Sequence, residues 1–131
     1  MLVTGATGGI GRAICERLQS DGAYARVIGL SRRSDPALDL TREDSIEDAA
    51  NYCAEQGEIR LVIDATGFLH QEDAMPEKSL RDLDAERLAR NFALNAIGPA
   101  LLMKHFLPRL PRREPAVFAT LSAKVGSIGD N

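Results

Sequence analysis

The 131-residue chain lacks tryptophan, has only two cysteines, and is 5% aromatic. Cys15 and Cys53 fall within helix-like segments and have no metal-ligand spacing, so we expect a reduced, cytoplasmic setting. His70 and His105 belong to no cysteine or carboxylate cluster, and neither is expected to bind a metal. No apolar run is long enough to span a bilayer and no signal-peptide pattern is present, so we expect no membrane partner.

The charge balance also excludes some partners. The net charge is −3, so no excess of positive charge points to nucleic acid. With 44% hydrophobic and 27% charged residues, the composition is typical of one soluble globular domain, and a chain of this length can bury a sizeable core.

Short apolar segments alternate with helix-like segments along the chain. The apolar segments predict five strands: Met1–Val3, Arg26–Leu30, Ala37–Leu40, Arg60–Asp64 and Ala116–Leu121. Such alternation is typical of parallel strands joined by right-handed crossovers. We therefore expect an α/β fold with a Rossmann-type doubly wound parallel sheet, as the N-terminal part of a larger sheet.

Three helices are predicted between these strands. The first ends near Asp21-Gly22, and the second begins at Thr41 with Ile46, Ala49, Ala50 and Cys53 on its inner face. The third runs from about Asp84 to His105, with one stripe formed by Leu88, Phe92, Asn95, Leu102 and Phe106.

A glycine-rich turn joins the first strand to the first helix. Such a turn directs backbone N–H groups and the positive end of the helix at a pair of phosphates. Gly5 permits the tight turn, Gly8 or Gly9 allows close approach of the pyrophosphate, and Gly11 allows the helix to pack on the sheet. The predicted cofactor-binding residues of this turn are Thr4, Gly5, Thr7, Gly8, Gly9, Ile10 and Gly11.

The end of the second strand indicates which dinucleotide binds. An acid there accepts a hydrogen bond from the ribose 2′-OH of NAD, whereas arginine accommodates the 2′-phosphate of NADP. This chain has Ser31, Arg32 and Arg33, with no acid before Asp35. Two guanidinium groups favour NADP(H) over NAD(H) as the cofactor, although a basic loop in solvent would have the same composition.

Thr4–Gly11 resembles the T-G-x-x-x-G-x-G turn of the short-chain dehydrogenase/reductase family. Its glycines also fit T-G-x-x-G-x-x-G, the spacing of the family's extended, sugar-nucleotide-modifying branch. The resemblance implies that Asp39 and Leu40 contact the adenine ring. It also places Asp64-Ala65-Thr66-Gly67 at the family's N-N-A-G, beside the cofactor, where only the glycine agrees fully; Ala65, Thr66 and Gly67 are predicted cofactor-binding residues.

Asn95-Ala96-Ile97-Gly98-Pro99 resembles the N-x-x-G-P segment of the compact, oxidoreductase branch. Pro99 has no N–H, so the carbonyl of Asn95 loses its helical hydrogen bond. The carbonyl must accept from another donor, often water. The resemblance implies that Asn95 holds a water connected to a catalytic lysine. A kinked core helix with a locally satisfied asparagine is the alternative.

Leu121–Asn131 resembles the I-S-S-x-x-G segment after the fifth strand, and its ending is similar to the C-factor and sniffer-type carbonyl reductase branch. The family's serine position holds Ala123. Ser122 is therefore our predicted catalytic serine, with Ser127 as the alternative. The family's Tyr-x-x-x-Lys does not occur, so we interpret residues 1–131 as one dinucleotide-binding Rossmann domain truncated before that helix.

The resemblance implies hydride transfer between NADP(H) and a small-molecule carbonyl or alcohol, with Asn95 and Ser122 in the catalytic machinery. We expect a homodimer or homotetramer, with the long helix as the candidate interface. The alternatives are a non-catalytic, dinucleotide-binding cell–cell signalling protein similar to C-factor, and an extended-branch epimerase or dehydratase acting on nucleotide sugars.

Overall fold

The computed structural model describes residues 1–68 and 78–123, together with residues 126 and 129. This part contains one sheet with the strands β1 (Leu2–Thr4), β2 (Ile28–Leu30), β3 (Leu61–Asp64) and β4 (Val117–Thr120). Neighbouring strands are parallel and follow the order β2-β1-β3-β4. Because the winding reverses between β1 and β3, a crevice opens at the carboxyl ends of these strands.

The helices are α1 (Gly9–Asp21), α2 (Glu43–Glu55), α3 (Ala85–Phe92) and α4 (Gly98–Phe106). A π-helical turn at Ala93–Ile97 joins α3 to α4, and short 3₁₀ turns lie at Leu80–Asp82 and Leu107–Arg109. Within the described ranges, no helix combines the length and hydropathy needed to cross a bilayer.

The main core lies between the sheet and the pair α2 and α4. Leu2, Leu30 and Val62 point from successive strands into this core, where the predicted inner face of α2 is fully buried. Gly29 points to the other side, where a Cβ would lie 2.8 Å from Ala6 Cβ and 3.4 Å from Cys15 Sγ. Since side chains alternate along a strand, α1 covers the opposite face of β1 and β2, and these two strands have helices on both sides as predicted.

The prediction of five strands is wrong in one element, because Ala37–Leu40 forms no strand in the described structure. The amide of Leu38 donates to the Ser31 carbonyl, and the amide of Asp39 donates to Ser45 Oγ. These backbone groups are therefore bonded to the loop after β2 and to the start of α2. Leu38 and Leu40 are buried in the main core, which explains the apolar alternation without a strand.

The predicted long helix begins and ends within a residue of its expected bounds, but its apolar stripe is not continuous. Leu102 and Phe106 are fully buried, whereas Phe92 is 64% exposed. The π turn lies between them, and its extra residue rotates one half of the helix against the other. A stripe drawn with a uniform helical period therefore crosses from one face to another at Asn95.

Candidate functional site

Two glycines of the first turn are required by the fold itself. Gly5 has φ +71°, and a Cβ there would lie 2.6 Å from the Ala65 carbonyl oxygen at the end of β3. A Cβ on Gly11 would lie 2.2 Å from the Gly5 carbonyl oxygen. Gly5 therefore allows β1 to turn beside β3, and Gly11 allows α1 to pack against the turn.

Gly9, unlike Gly5 and Gly11, is not required by close packing. A Cβ on Gly9 would meet no described atom within 4 Å. Gly8 is the N-cap of α1 and has no side chain to cap it, and the first helical turn contains no acidic residue. The amide of Gly8 donates to the Gly5 carbonyl, so the N–H groups left without a helical acceptor are those of the first turn of α1. With the uncompensated positive helix end, they form the arrangement that accommodates a phosphate pair.

A cavity of about 1200 Å³ opens in front of this turn. Its lining comes from the ends of β1, β2 and β3, the segment before α2, and one face of the helix around the π turn: Gly5, Thr7, Gly8, Ser31, Arg32, Leu38, Asp39, Leu40, Thr41, Ala65, Thr66, Gly67, Phe68, Ala89, Arg90, Ala93 and Leu94. We call this cavity the cleft. Most of the residues predicted to bind cofactor therefore lie along one continuous surface.

The remaining predicted residues lie beside the cleft lining. Thr4 is fully buried, and its hydroxyl donates to Asp64 Oδ1 at 2.7 Å. Gly9 and Gly11 belong to the first turn of α1, where Ile10 has a largely exposed side chain. Arg33 is exposed next to Arg32, and only Arg32 of these two contributes to the lining.

Asp64 is a buried carboxylate at the end of β3. Its Oδ1 accepts hydrogen bonds from the Thr4 hydroxyl and from both the amide and the hydroxyl of Thr66. Its Oδ2 accepts from the Thr120 hydroxyl at 2.9 Å. One side chain thus joins the carboxyl ends of β1, β3 and β4 and holds Thr66 in the floor of the cleft. These donors replace the water that the carboxylate loses on burial.

The loop after β2 is held by serine hydroxyls. The amide of Ser31 donates to Ser34 Oγ at 2.9 Å, and the amide of Arg33 donates to Ser31 Oγ at 3.1 Å. The Ser31 carbonyl accepts from the amides of Ser34 and Leu38. These bonds fix the backbone that carries Arg32 into the cleft.

Asp39 and Thr41 form the adjoining wall. The amide and hydroxyl of Thr41 both donate to Asp39 Oδ1, at 2.9 and 2.7 Å. These hydrogen bonds, with a smaller contribution from the positive charge of Arg32, lower the pKa of the Asp39 carboxyl. The carboxylate is therefore ionised and acts as a hydrogen-bond acceptor at neutral pH.

Asn95 lies in the π turn and connects it to the chain after β3. Its Oδ1 accepts from the Phe68 amide at 2.8 Å, and its Nδ2 donates to the Phe68 carbonyl at 2.6 Å. The guanidinium of Arg90 lies 5.1 Å from the centroid of the Phe68 ring. The side chain of Asn95 is thus bonded to the backbone of Phe68. The backbone carbonyl of Asn95 cannot accept the usual helical hydrogen bond, because residue 99 is proline.

Ser122 lies just beyond β4 and is exposed, outside the cleft lining. The preceding amide of Leu121 donates to the Asp64 carbonyl, which carries the chain past the end of β3. Ser127 and His70 lie outside the described residues. In the part of the chain that is described, no group of three or more His, Cys, Asp or Glu side chains could hold a metal ion, and His105 contacts Glu43.

Several lining residues were not predicted. Thr41 follows the predicted Asp39 and Leu40 directly, so only its neighbours suggested it. Ala89 and Ala93 are small residues one helical turn apart, a spacing that indicates a close approach but that core alanines share. No sequence pattern indicated Phe68 or Arg90, because their pairing depends on how α3 is placed relative to the end of β3.

Together, the open glycine turn, the crevice between β1 and β3 and the basic end of β2 define a dinucleotide-binding domain of the Rossmann type. The chain belongs to the NAD dependent epimerase/dehydratase family, whose sequence profile matches residues 1–82. The predicted resemblance to short-chain dehydrogenases/reductases is confirmed.

The relatives include "Short-chain dehydrogenase reductase 5" of Arabidopsis thaliana, which is 27% identical over 120 residues, or 80% of this chain and 44% of that protein. Among solved structures, the putative carbonyl reductase Sniffer of Caenorhabditis elegans has a TM-score of 0.84 and 23% identity, covering 99% of this chain and 65% of that one. The aldohexose dehydrogenase of Thermoplasma acidophilum has a TM-score of 0.81 and 23% identity, covering 97% and 51%. The chain spans about half the length of the curated relatives it matches.

Proposed function

We propose that the protein is an NADP(H)-dependent oxidoreductase that transfers a hydride between NADP(H) and a carbonyl or alcohol substrate. The observation that carries the cofactor choice is the position of Ser31 and Arg32, at the end of β2 and in the lining of the cleft. A guanidinium there meets the 2′-phosphate, and a serine hydroxyl beside it is a second donor to the same group.

When bound, the nicotinamide ring supplies the hydride chemistry. The N–H groups of Gly9 and Ile10 in the first turn of α1 bind the pyrophosphate, and Arg32 binds the 2′-phosphate. Asp39 and Leu40 hold the adenine ring, as the family resemblance implies. The floor of the cleft, fixed by Asp64 through Thr66, keeps the cofactor against the ends of the strands.

On the substrate side, the proposal assigns Ser122 to donate a hydrogen bond to the carbonyl oxygen, where charge develops during reduction. Asn95 fixes the turn whose free carbonyl can hold a water, which is the proton-relay role implied by the resemblance. The Tyr-x-x-x-Lys of the family does not occur among residues 1–131, and the proposal assigns the proton donor to none of them.

The neighbouring arginines provide a matched test of the cofactor. Titration of the full-length protein with NADPH and NADH should give preferential NADPH binding. In Arg32→Ala, loss of a charge-assisted contact worth about 1.5–3 kcal/mol should weaken NADPH binding by roughly 10- to 100-fold, with little change for NADH. Arg33→Ala, which is outside the lining, should have the smaller effect.

An unchanged NADPH/NADH affinity ratio in the double variant Arg32→Ala/Arg33→Ala would contradict the 2′-phosphate assignment. Turnover is tested separately, by following NADPH oxidation with a panel of aldehydes and ketones. Loss of turnover in Ser122→Ala, with cofactor affinity retained, would support the role of this serine.

A second candidate function is epimerisation or dehydration of a nucleotide sugar. It is favoured by the match to the epimerase/dehydratase family and by the Gly5, Gly8 and Gly11 spacing. The match ends at residue 82, before Asn95–Pro99, the segment that resembles the oxidoreductase branch. Conversion of a nucleotide sugar without net consumption of NADPH would identify this activity. No relative favours the non-catalytic signalling alternative.

A further inference from the structure

Gly98 is buried at the start of α4, where it faces Leu40 in the wall of the cleft. A Cβ placed on Gly98 would lie 2.8 Å from Leu40 Cβ, 3.0 Å from Leu40 Cδ1 and 3.1 Å from the Ala93 carbonyl oxygen. Carbon atoms do not approach each other to 2.8 Å without strain, so a methyl group at this position would force a displacement.

A methyl group on Gly98 would displace Leu40 rather than helix α4. The helix is held from behind by Leu102 and Phe106, which are fully buried against the main core, and the Gly98 amide closes the π turn on the Ala93 carbonyl. Leu40 lies between Gly98 and the cleft, and it is 7% exposed. Because the nearest atom is its Cβ, a rotamer change is not enough, and the backbone at Leu40 would move toward the cleft.

This part of the cleft faces the adenosine half of a dinucleotide. The pyrophosphate lies at the glycine turn, and the end of β2, with Arg32, faces the adenosine ribose. Leu40 lies beyond Arg32 in the same lining, between the Asp39 carboxylate and Thr41. Leu40 presents an apolar side chain to the part of the cleft where the flat, mostly apolar adenine base must fit.

We propose that Gly98 sets the depth of the adenosine end of the cleft, by leaving the space into which Leu40 withdraws. Gly98 is a positioning residue that acts through Leu40, and it links the π turn that carries Asn95 to the wall facing the base. This inference rests on the proposed function only in requiring that the cleft holds an adenosine-containing dinucleotide.

The test measures three dissociation constants for the full-length protein: for NADPH, for adenosine 2′,5′-bisphosphate, and for reduced nicotinamide mononucleotide, which lacks the adenosine. Gly98→Ala should weaken the first two by the same factor, at least about tenfold, and leave the third unchanged. Ala100→Ser, a small change at an exposed position of α4, is the control and should leave all three unchanged.

A general loss of structure in Gly98→Ala would lower the affinity for all three ligands equally, and that result would overturn the proposal. Unchanged binding of all three would overturn it as well. If the wild-type protein binds none of the three ligands, the proposed function itself is wrong, and the two failures are thereby distinguished.

A second variant tests the same wall without adding any atom. Leu40→Ala enlarges the adenosine end, so it should raise the affinity for the etheno-adenine analogue of NADP⁺, which has an enlarged base, relative to NADP⁺. The same affinity ratio should fall in Gly98→Ala. If Leu40→Ala leaves the ratio unchanged, Leu40 does not bound the base, and the proposal is overturned whether or not Gly98→Ala folds.

Discussion

Gly9 and Gly11 stand in the same helical turn but serve different needs. Gly11 leaves room for the Gly5 carbonyl oxygen, which a Cβ would approach to 2.2 Å. At Gly9, by contrast, a Cβ would have no described atom within 4 Å, so the absence of a side chain makes room for no neighbouring part of the described structure. A glycine at a helix start weakens the helix relative to alanine, and the packing of the described residues does not explain its presence at position 9. Under the proposed function, the space beside Gly9 is taken by the pyrophosphate of the cofactor.

This difference predicts opposite effects of the same substitution. Gly11→Ala should lower the free energy of unfolding by at least about 2 kcal/mol, since overpacking against backbone cannot be relieved by a rotamer change. Gly9→Ala should leave the unfolding free energy within about 1 kcal/mol of wild type and weaken NADPH binding at least about tenfold. Urea unfolding and cofactor titration of both variants measure the two effects.

Each variant is the control for the other. If Gly9→Ala bound NADPH as tightly as wild type while remaining folded, the turn would not contact the pyrophosphate at that residue. If Gly11→Ala were as stable as wild type, the close packing of α1 on the turn would be wrong.

At the level of residues, the roles of Gly5 and Gly11 could be predicted because they depend on local chain geometry. The use of Asp64 could not, because its four hydrogen bonds come from β1, from β4 and from Thr66. Thr4 and Thr120 are distant from Asp64 in the sequence and meet it only when the strands are aligned. The difference between Arg32 and Arg33 is also set by the loop, whose shape depends on hydroxyl contacts that no pattern in the sequence indicates.

At the level of elements, the inner face of α2 was predicted correctly because helical periodicity indicates burial. The end of α1 was predicted correctly from Gly22. The same logic failed for Ala37–Leu40, since alternating burial arises equally from a loop packed on the core. It also failed across Asn95, because a π turn adds a residue without changing composition. Proline at position 99 indicated where the helix is irregular, but not which irregularity forms.

The contact between the start of α2 and the end of α4 predicts a pH effect on stability. Glu43 Oε1 accepts hydrogen bonds from Lys104 Nζ and lies 3.0 Å from His105 Nε2. The Lys104 contact first, and His105 second, lower the pKa of the Glu43 carboxyl below its ordinary value of 4.5. The stabilisation is therefore fully present above the ordinary pKa and is lost as the pH falls through the lowered value.

Glu43→Gln should accordingly reduce the acid sensitivity of the protein. The difference in Tm between about pH 7 and about pH 3.5 should be smaller in the variant than in wild type. Glu55→Gln changes the same kind of group at the other end of α2 and should leave that difference as it is in wild type. An identical pH dependence in Glu43→Gln and wild type would show that the contact between the two helices does not depend on the carboxylate.

At the level of the whole molecule, the residues assigned to the cofactor share one surface. The glycine turn, the basic end of β2, the wall at Leu40 and the floor at Thr66 all face one cleft. Under the proposed function, each of them binds a part of the cofactor other than its reacting ring. Ser122 and Asn95, the residues assigned to the substrate, are exposed. The chain spans about half the length of the matched relatives, and it has no Tyr-x-x-x-Lys.

We therefore expect residues 1–131 to bind the cofactor without catalysing its oxidation. A polypeptide of residues 1–131, verified by intact mass, should bind NADPH through the adenosine half and show no NADPH oxidation with any carbonyl substrate, because the Tyr-x-x-x-Lys that donates the proton in the family does not occur in it. The full-length protein, assayed in parallel with the same carbonyl panel, should show both. Arg32→Ala in the short polypeptide is the control, since it should abolish the NADPH preference and so prove that binding occurs in the cleft. Carbonyl-dependent oxidation of NADPH by the pure short polypeptide would mean that residues 1–131 suffice for the chemistry, and the requirement for Tyr-x-x-x-Lys would then be wrong.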